Sequence, residues 1–431
     1  MTGHHQVSSC ILESLPTSQG QRSQYSESKA RISRIKSSRW QPAHLMPNLD
    51  EQYVAKAITQ HLEHPEIPTG TYVKHKIIAL GISISGLIKV YLDQRFWILL
   101  RDVHIGRSTR PDVRRLLDTL RLSVQKGCLI CPISDSIFLE LLKQEDISTR
   151  RSTAELIDEL SLGITLVPNQ QRAGQELVGV FAKFVDDGRE YHVVDHLVWS
   201  KLGYVLGVVH PSLPWSDPDT ERAAQKAFFD LMWDFPLATQ IDTVGQDGYQ
   251  KPESFEGTAN RINELNREHQ AEVRDFRRVY IDEFRGVLKL CMHHPRQWIE
   301  QQYELKTGKK CLSSPEEISK YEHELYTFFG NLIAHRKEAA LMLPTLHISA
   351  LCYSAIRWDK KRNLSANDIY DFQHAAAAIG YCDAFLTEKP LMNLLAQRHL
   401  AINADFQCTV ISDVEEADQW ISSKSAMSAM G

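Results

Sequence analysis

Apolar positions recur along this chain in two rhythms. The run Leu87-Ile-Lys-Val-Tyr-Leu-Asp93 is nearly continuous and predicts a strand buried on both faces. Pro111 then opens a segment with Val113, Leu116, Leu117, Leu120 and Val124 at helical spacing. A short apolar strand at Cys128–Cys131 leads into a helix over Pro132–Leu142, another helix at Thr153–Leu162 and a third strand at Ile164–Val167. Strand, helix, strand, helix, strand is the pattern of a parallel α/β sheet.

The alternation then stops. From about Gln170 to Met342 the periodicity is helical, with a long charged stretch between Ser254 and His293. Ser314-Pro-Glu-Glu317 has the form of a capping box with proline in the first turn. After Pro344 the α/β rhythm returns as a helix at Leu346–Arg357, a helix within Leu364–Ile379, the strand Ala384–Thr387, a helix at Pro390–His399 and the strand Cys408–Ser412. We therefore expect one α/β domain in two halves, 71–168 and 344–431. An all-α insertion over 169–343 would interrupt it, and a polar arm and helix over 1–70 would precede it. Residues 1 to about 45 of that arm are rich in Ser, Gln, Arg and Lys.

Composition narrows the function only a little. A hydrophobic fraction of 43% suffices for a sizeable core, and a net charge of −5 gives no global attraction to nucleic acid, so such binding needs a local basic patch. The eight cysteines are scattered, and Cys128 and Cys131 lack a second pair at metal-ligand spacing. Scattered thiols, no signal-like apolar segment and no membrane-length apolar run lead us to expect a cytoplasmic protein without a membrane partner.

In an open parallel sheet, chemistry gathers at the carboxyl ends of the strands. Asp93 stands there after the first strand, Glu140 lies on the helix after the second, Asp371 on the helix before the fourth, and Asp383 directly before that strand. Each has a structural reading as well, as turn former, cap or solvated helix residue. Asp368 has the strongest one, because Ser365-Ala-Asn-Asp368 is itself a capping-box pattern. Clustered carboxylates repel one another without a cation, and hard oxygen ligands suit Mg²⁺ or Mn²⁺.

Val90-Tyr-Leu-Asp93, Pro132-Ile-Ser with Leu139-Glu140, and Asp371-Phe-Gln-His with Tyr381-Cys-Asp383-Ala-Phe-Leu-Thr387 together resemble the successive motifs of PIN-like nuclease domains. The resemblance covers about 86–167 and 344–415, in order. It implies a parallel sheet of strand order 3-2-1-4-5 flanked by helices, and a carboxylate-bound Mg²⁺ or Mn²⁺. It also implies metal-dependent endonuclease activity, on RNA before DNA. By the same resemblance Asp93, Glu140 and Asp371 are the first three acids, and the fourth ligand is Asp383 or Glu388. The chain departs from the pattern at Gln94, where Asn or Thr is common, and at Glu388-Lys389, where Asp is common.

Candidate phosphate contacts are Arg110, Arg114, Arg150, Arg151 and His374, and Phe96 and Trp97 are candidates for base stacking. Ion-paired helix faces and core packing are the competing uses of these side chains. His374 has the further option of orienting a carboxylate. The rival function is a non-catalytic PIN-like scaffold whose helical insertion binds a protein partner or a second copy of the chain.

Overall fold

Val90, Tyr91 and Leu92 are wholly buried, as are Ala384, Phe385 and Leu386, and the two triplets lie side by side. They belong to β1 (Ile88–Leu92) and β5 (Ala384–Leu386), which pair in parallel with Val90 opposite Ala384 and Leu92 opposite Leu386. β2 (Leu129–Ile130) flanks β1, and β6 (Thr409–Ile411) flanks β5. The resulting sheet has four parallel strands in the order β2-β1-β5-β6. The computed structural model describes residues 51–184, 192–246, 254–309, 314–400 and 402–428, so the polar arm expected over 1–45 lies outside the described residues. The fold is mixed α/β and mostly helical.

Two expectations need correction. The five-stranded order 3-2-1-4-5 does not form as one sheet. The expected third strand, β3 (Ile164–Leu166), instead pairs antiparallel with β4 (Trp199–Lys201). Among the described residues it meets the parallel sheet only at an isolated bridge between Ile133 and Thr165. On that side of β2 the Cys131 N–H is taken by the Leu160 carbonyl, and the Leu166 N–H reaches only the Ile133 carbonyl, beyond the end of β2. The interval 169–343 is also not all-α, since it contains β4. A strand of three residues is too short for its alternation to show in the sequence.

Helices cover the sheet on both faces, as parallel strands require. The Pro344–Trp358 helix packs along the Ala366–Tyr381 helix, and the Val414–Ser428 helix packs on Pro111–Gln125. Leu237, Ala238, Ile241 and Ala259, all from the interrupting segment, share the same apolar core as the sheet. A second core gathers around Phe284, Leu288, Phe329 and Leu343. The Thr69–Ser83 helix was not apparent in the pattern of the sequence. It buries Thr69, Val73, Ile77, Ile78 and Gly81 at helical spacing, but the apolar Leu80 and the exposed Ile82 beside that stripe blur its pattern.

The Asn169–Phe184 helix carries two fully buried charged residues, Arg172 and Glu176. Arg172 donates to the Thr345 hydroxyl, the Val167 carbonyl and the Asn169 side chain, each at 3.0 Å. Glu176 accepts the Thr345 N–H at 3.0 Å and the Tyr381 hydroxyl. Thr345 sits in the first turn of the Pro344–Trp358 helix, where backbone N–H groups lack intrahelical partners. Burial pushes the Glu176 carboxyl up to about 7, against its hydrogen bonds and the attraction of Arg172.

Candidate active site

The first acid is fixed by backbone geometry. Asp93 follows β1 and is the N-cap of the Gln94–His104 helix, accepting the Phe96 N–H at 3.0 Å. Its own N–H extends the β1–β5 ladder by donating to the Leu386 carbonyl. The side chain is buried, and burial pushes its carboxyl up to about 6. Hydrogen bonds from Phe96 and from the Thr387 hydroxyl, and the attraction of His374, pull the other way. Glu388, next along the chain from Thr387, adds to the rise, which places it on the same side of the sheet.

Glu140 arrives from the Asp135–Lys143 helix, and its Oε2 lies 2.8 Å from His374 Nε2. His374 Nδ1 is 2.8 Å from the Tyr91 hydroxyl, which is 2.6 Å from Ser134 Oγ. Tyr91, Ser134 and His374 are all essentially solvent-free. A neutral His374 gives this chain one direction. Ser134 donates to Tyr91, Tyr91 donates to Nδ1, and Nε2–H donates to Glu140. Burial disfavours the His374 cation, yet Glu140, Asp371 and Asp93 together hold its pKa above the ordinary value. Tyr91→Phe removes the donor to a buried ring nitrogen and should cost about 1–3 kcal/mol. Urea unfolding checks this as a lower midpoint at unchanged slope.

Asp371 stands one turn inside the Ala366–Tyr381 helix. Burial pushes it up to about 7, His374 opposes the rise, and Asp93, Glu140 and Asp368 reinforce it. Three acids from two distant segments thus act on one another electrostatically. Asp368 is occupied differently. Ser365 Oγ accepts the Asp368 N–H at 3.1 Å, Asp368 Oδ2 accepts the Ser365 N–H at 2.7 Å, and Arg362 donates to its other oxygen at 2.6 Å. The capping box expected from the sequence is present. Asp368→Ala should therefore cost about 0.5–2 kcal/mol. Asp371→Ala, which removes a carboxylate held at a cost, should not lower stability at pH 7.5 in EDTA. Denaturation midpoints of the two variants decide between these assignments.

Asp383 does not join the group. It precedes β5, its N–H donates to the Lys89 carbonyl, and its carboxylate accepts the Lys89 N–H at 2.8 Å. Lys89 and Asp93 are four strand residues apart, about 13 Å at the usual rise. Asp383 therefore lines a cavity of about 450 Å³ at the amino ends of the strands, with Lys89, Asp195 and Asp405. Of the two candidates for the fourth acid, only Glu388 is on the side of Asp93. It borders a recess of about 590 Å³ with Arg95, Lys389 and Ser412.

The expected basic surface is largely committed within the fold. Arg110 pairs with Asp112, and Arg114 donates to the Val103 carbonyl. Arg150 is buried and donates to the Gln144 carbonyl, while Arg151 pairs with Glu155 and Asp242. Phe96 and Trp97 are 0% and 1% exposed, so packing, not stacking, is their use. His374 is enclosed, so it reaches Glu140 and not a phosphate.

Tyr91, Ser134 and Thr387 were missed as parts of the site. A tyrosine in a strand buried on both faces was the available signal, because its hydroxyl needs a buried partner. Among the described residues no group of three or more His, Cys, Asp or Glu side chains is already arranged to hold a metal ion. The donor chemistry suits a hard divalent cation all the same, since the carboxylates are oxygen donors, and burial together with the neighbouring acids raises Asp93 and Asp371. No family model, no curated protein and no solved structure matches the chain.

Proposed function

We propose that this chain is a metal-dependent endonuclease of the PIN-like kind, hydrolysing phosphodiester bonds in RNA. The observation that carries the reading is the meeting of Asp93, Glu140 and Asp371 at the carboxyl ends of adjacent parallel strands, from segments separated by the whole interrupting region. Asp93, Glu140 and Asp371 would hold Mg²⁺ or Mn²⁺, with Glu388 as the fourth acid. Such an ion neutralises the charge that develops on the phosphate and makes a bound water more acidic. The side chains have separate tasks around it. Phe96 N–H fixes one oxygen of Asp93, and the His374–Tyr91–Ser134 chain holds Glu140 in one orientation. Asp371 presents the least committed carboxylate of the three.

Free thiols at Cys128, Cys131, Cys291, Cys352, Cys382 and Cys408 suit a reducing compartment, and the reading places the protein in the cytoplasm. No helix among the described residues is long and apolar enough to cross a membrane.

A second reading, a PIN-like scaffold without catalysis, draws on the structural roles of two acids. Asp93 caps a helix and Glu140 satisfies a buried histidine, and a scaffold would keep both for those reasons alone. Cleavage of labelled RNA and DNA in Mn²⁺, Mg²⁺ or EDTA separates the readings, with Asp93→Asn as control. Metal-dependent loss of RNA that disappears in the variant supports the nuclease. Intact RNA under every condition leaves the scaffold.

A further inference from the structure

With the Pro111–Gln125 helix and Phe96/Trp97 withdrawn, the surface that could guide a strand to the acids lies elsewhere. The turn Trp358-Asp-Lys-Lys-Arg362 joins the Pro344–Trp358 helix to the Ala366–Tyr381 helix. Arg362 reaches forward to Asp368, whose charge is felt by Asp371, so the turn borders the acidic group. Lys360 and Lys361 are exposed beside it. Trp358 is 38% exposed, and its ring stands nearly perpendicular to that of Phe276 at 5.8 Å between centroids. A tryptophan held against one aromatic ring yet left partly exposed beside two lysines forgoes part of its burial. Cations on both sides of the acids complete the setting. Arg95 and Lys389 border the recess beside Glu388, and Lys143 follows Glu140 by three residues.

We infer that the Trp358–Arg362 turn is a platform for single-stranded nucleic acid, on which the Trp358 indole stacks an unpaired base while Lys360 and Lys361 hold the flanking phosphates. The inference rests on the nuclease reading for its choice of ligand and deepens it, because an indole can stack only a base that is free of a duplex. Stacking selects for an open strand without reading sequence, and the lysines add affinity that weakens with salt. Arg362 contributes less, since Asp368 already neutralises it.

The test is binding of the full chain to a fluorescently labelled single-stranded RNA and to the corresponding blunt duplex, by anisotropy in EDTA so that nothing is cut. Trp358→Ala should weaken single-strand binding about tenfold, the usual scale for one stacked base, and change duplex binding little. Trp358→Phe should restore most of the loss. Because alanine also removes the contact with Phe276, Lys360→Glu with Lys361→Glu serves as an independent variant at exposed positions. It should weaken binding and flatten the salt dependence. Unchanged single-strand binding in Trp358→Ala overturns the inference, and so does an equal loss on duplex. Cleavage by the same preparations in Mn²⁺ separates the two ideas. Cutting that persists with unaltered strand preference in Trp358→Ala sinks the platform alone. Binding that depends on Trp358 without any cutting by the wild type sinks the nuclease alone, and a wild type that neither binds nor cuts sinks both.

Discussion

Asp93→Asn is expected to abolish cleavage and, in EDTA at pH 8, to leave the thermal midpoint unchanged or higher. The amide oxygen can still accept the Phe96 N–H, and Asn caps a helix about as well as Asp. What disappears is a buried carboxylate pushed from 3.8 up to about 6. A group whose folded pKa is raised stabilises the fold below its unfolded pKa, and that contribution fades as pH climbs through the folded value. Ionising Asp93 therefore costs stability progressively between about pH 4 and 6, on the order of 2–3 kcal/mol once complete. The gap between variant and wild type should open across that window and close again at pH 4. A midpoint several degrees lower at pH 8 would show that the ionised side chain is itself structural.

Arg172→Ala should be among the most damaging single changes away from the acids, about 3–5 kcal/mol. Arg172 is fully buried, and its loss strips partners from the Thr345 hydroxyl, the Val167 carbonyl and the Asn169 side chain. It also removes the positive charge that offsets the burial of Glu176, so the acid becomes costlier to ionise. The damage should concentrate where the Asn169–Phe184 helix meets Pro344–Trp358. Guanidinium unfolding measures the size, and hydrogen exchange at Thr345 locates it. Glu176→Gln in the same background should recover part of the loss, because it removes the unbalanced charge.

The strands at the centre of the sheet were legible because burial on both faces leaves an unbroken apolar run, as at Val90–Leu92 and Ala384–Leu386. Asp93 was legible for the same reason, as the carboxylate that ends such a run. Asp383 was misplaced by a confusion of ends. A residue before a parallel strand lies at the amino edge of the sheet, and that much follows from polarity without coordinates. Arg150, Arg172 and Glu176 could not be recognised as interior residues, because charges at helical spacing have the same pattern on a solvated face. Their burial comes from neighbouring elements that a local window does not contain. The C-terminal Val414–Ser428 helix lay beyond the last strand expected, and its packing on Pro111–Gln125 is likewise long-range.

The pairing of β1 with β5 also sets an order of events during synthesis. Lys89 and Asp383, which bond to each other at the start of that ladder, are 294 positions apart. At translation rates of about 5–20 residues per second, the inner edge of β1 waits roughly 15–60 s for its partner. Asp371 and Glu388 emerge at the close of that interval, so a ribosome-bound chain cannot assemble the acids while most of its length is still being made.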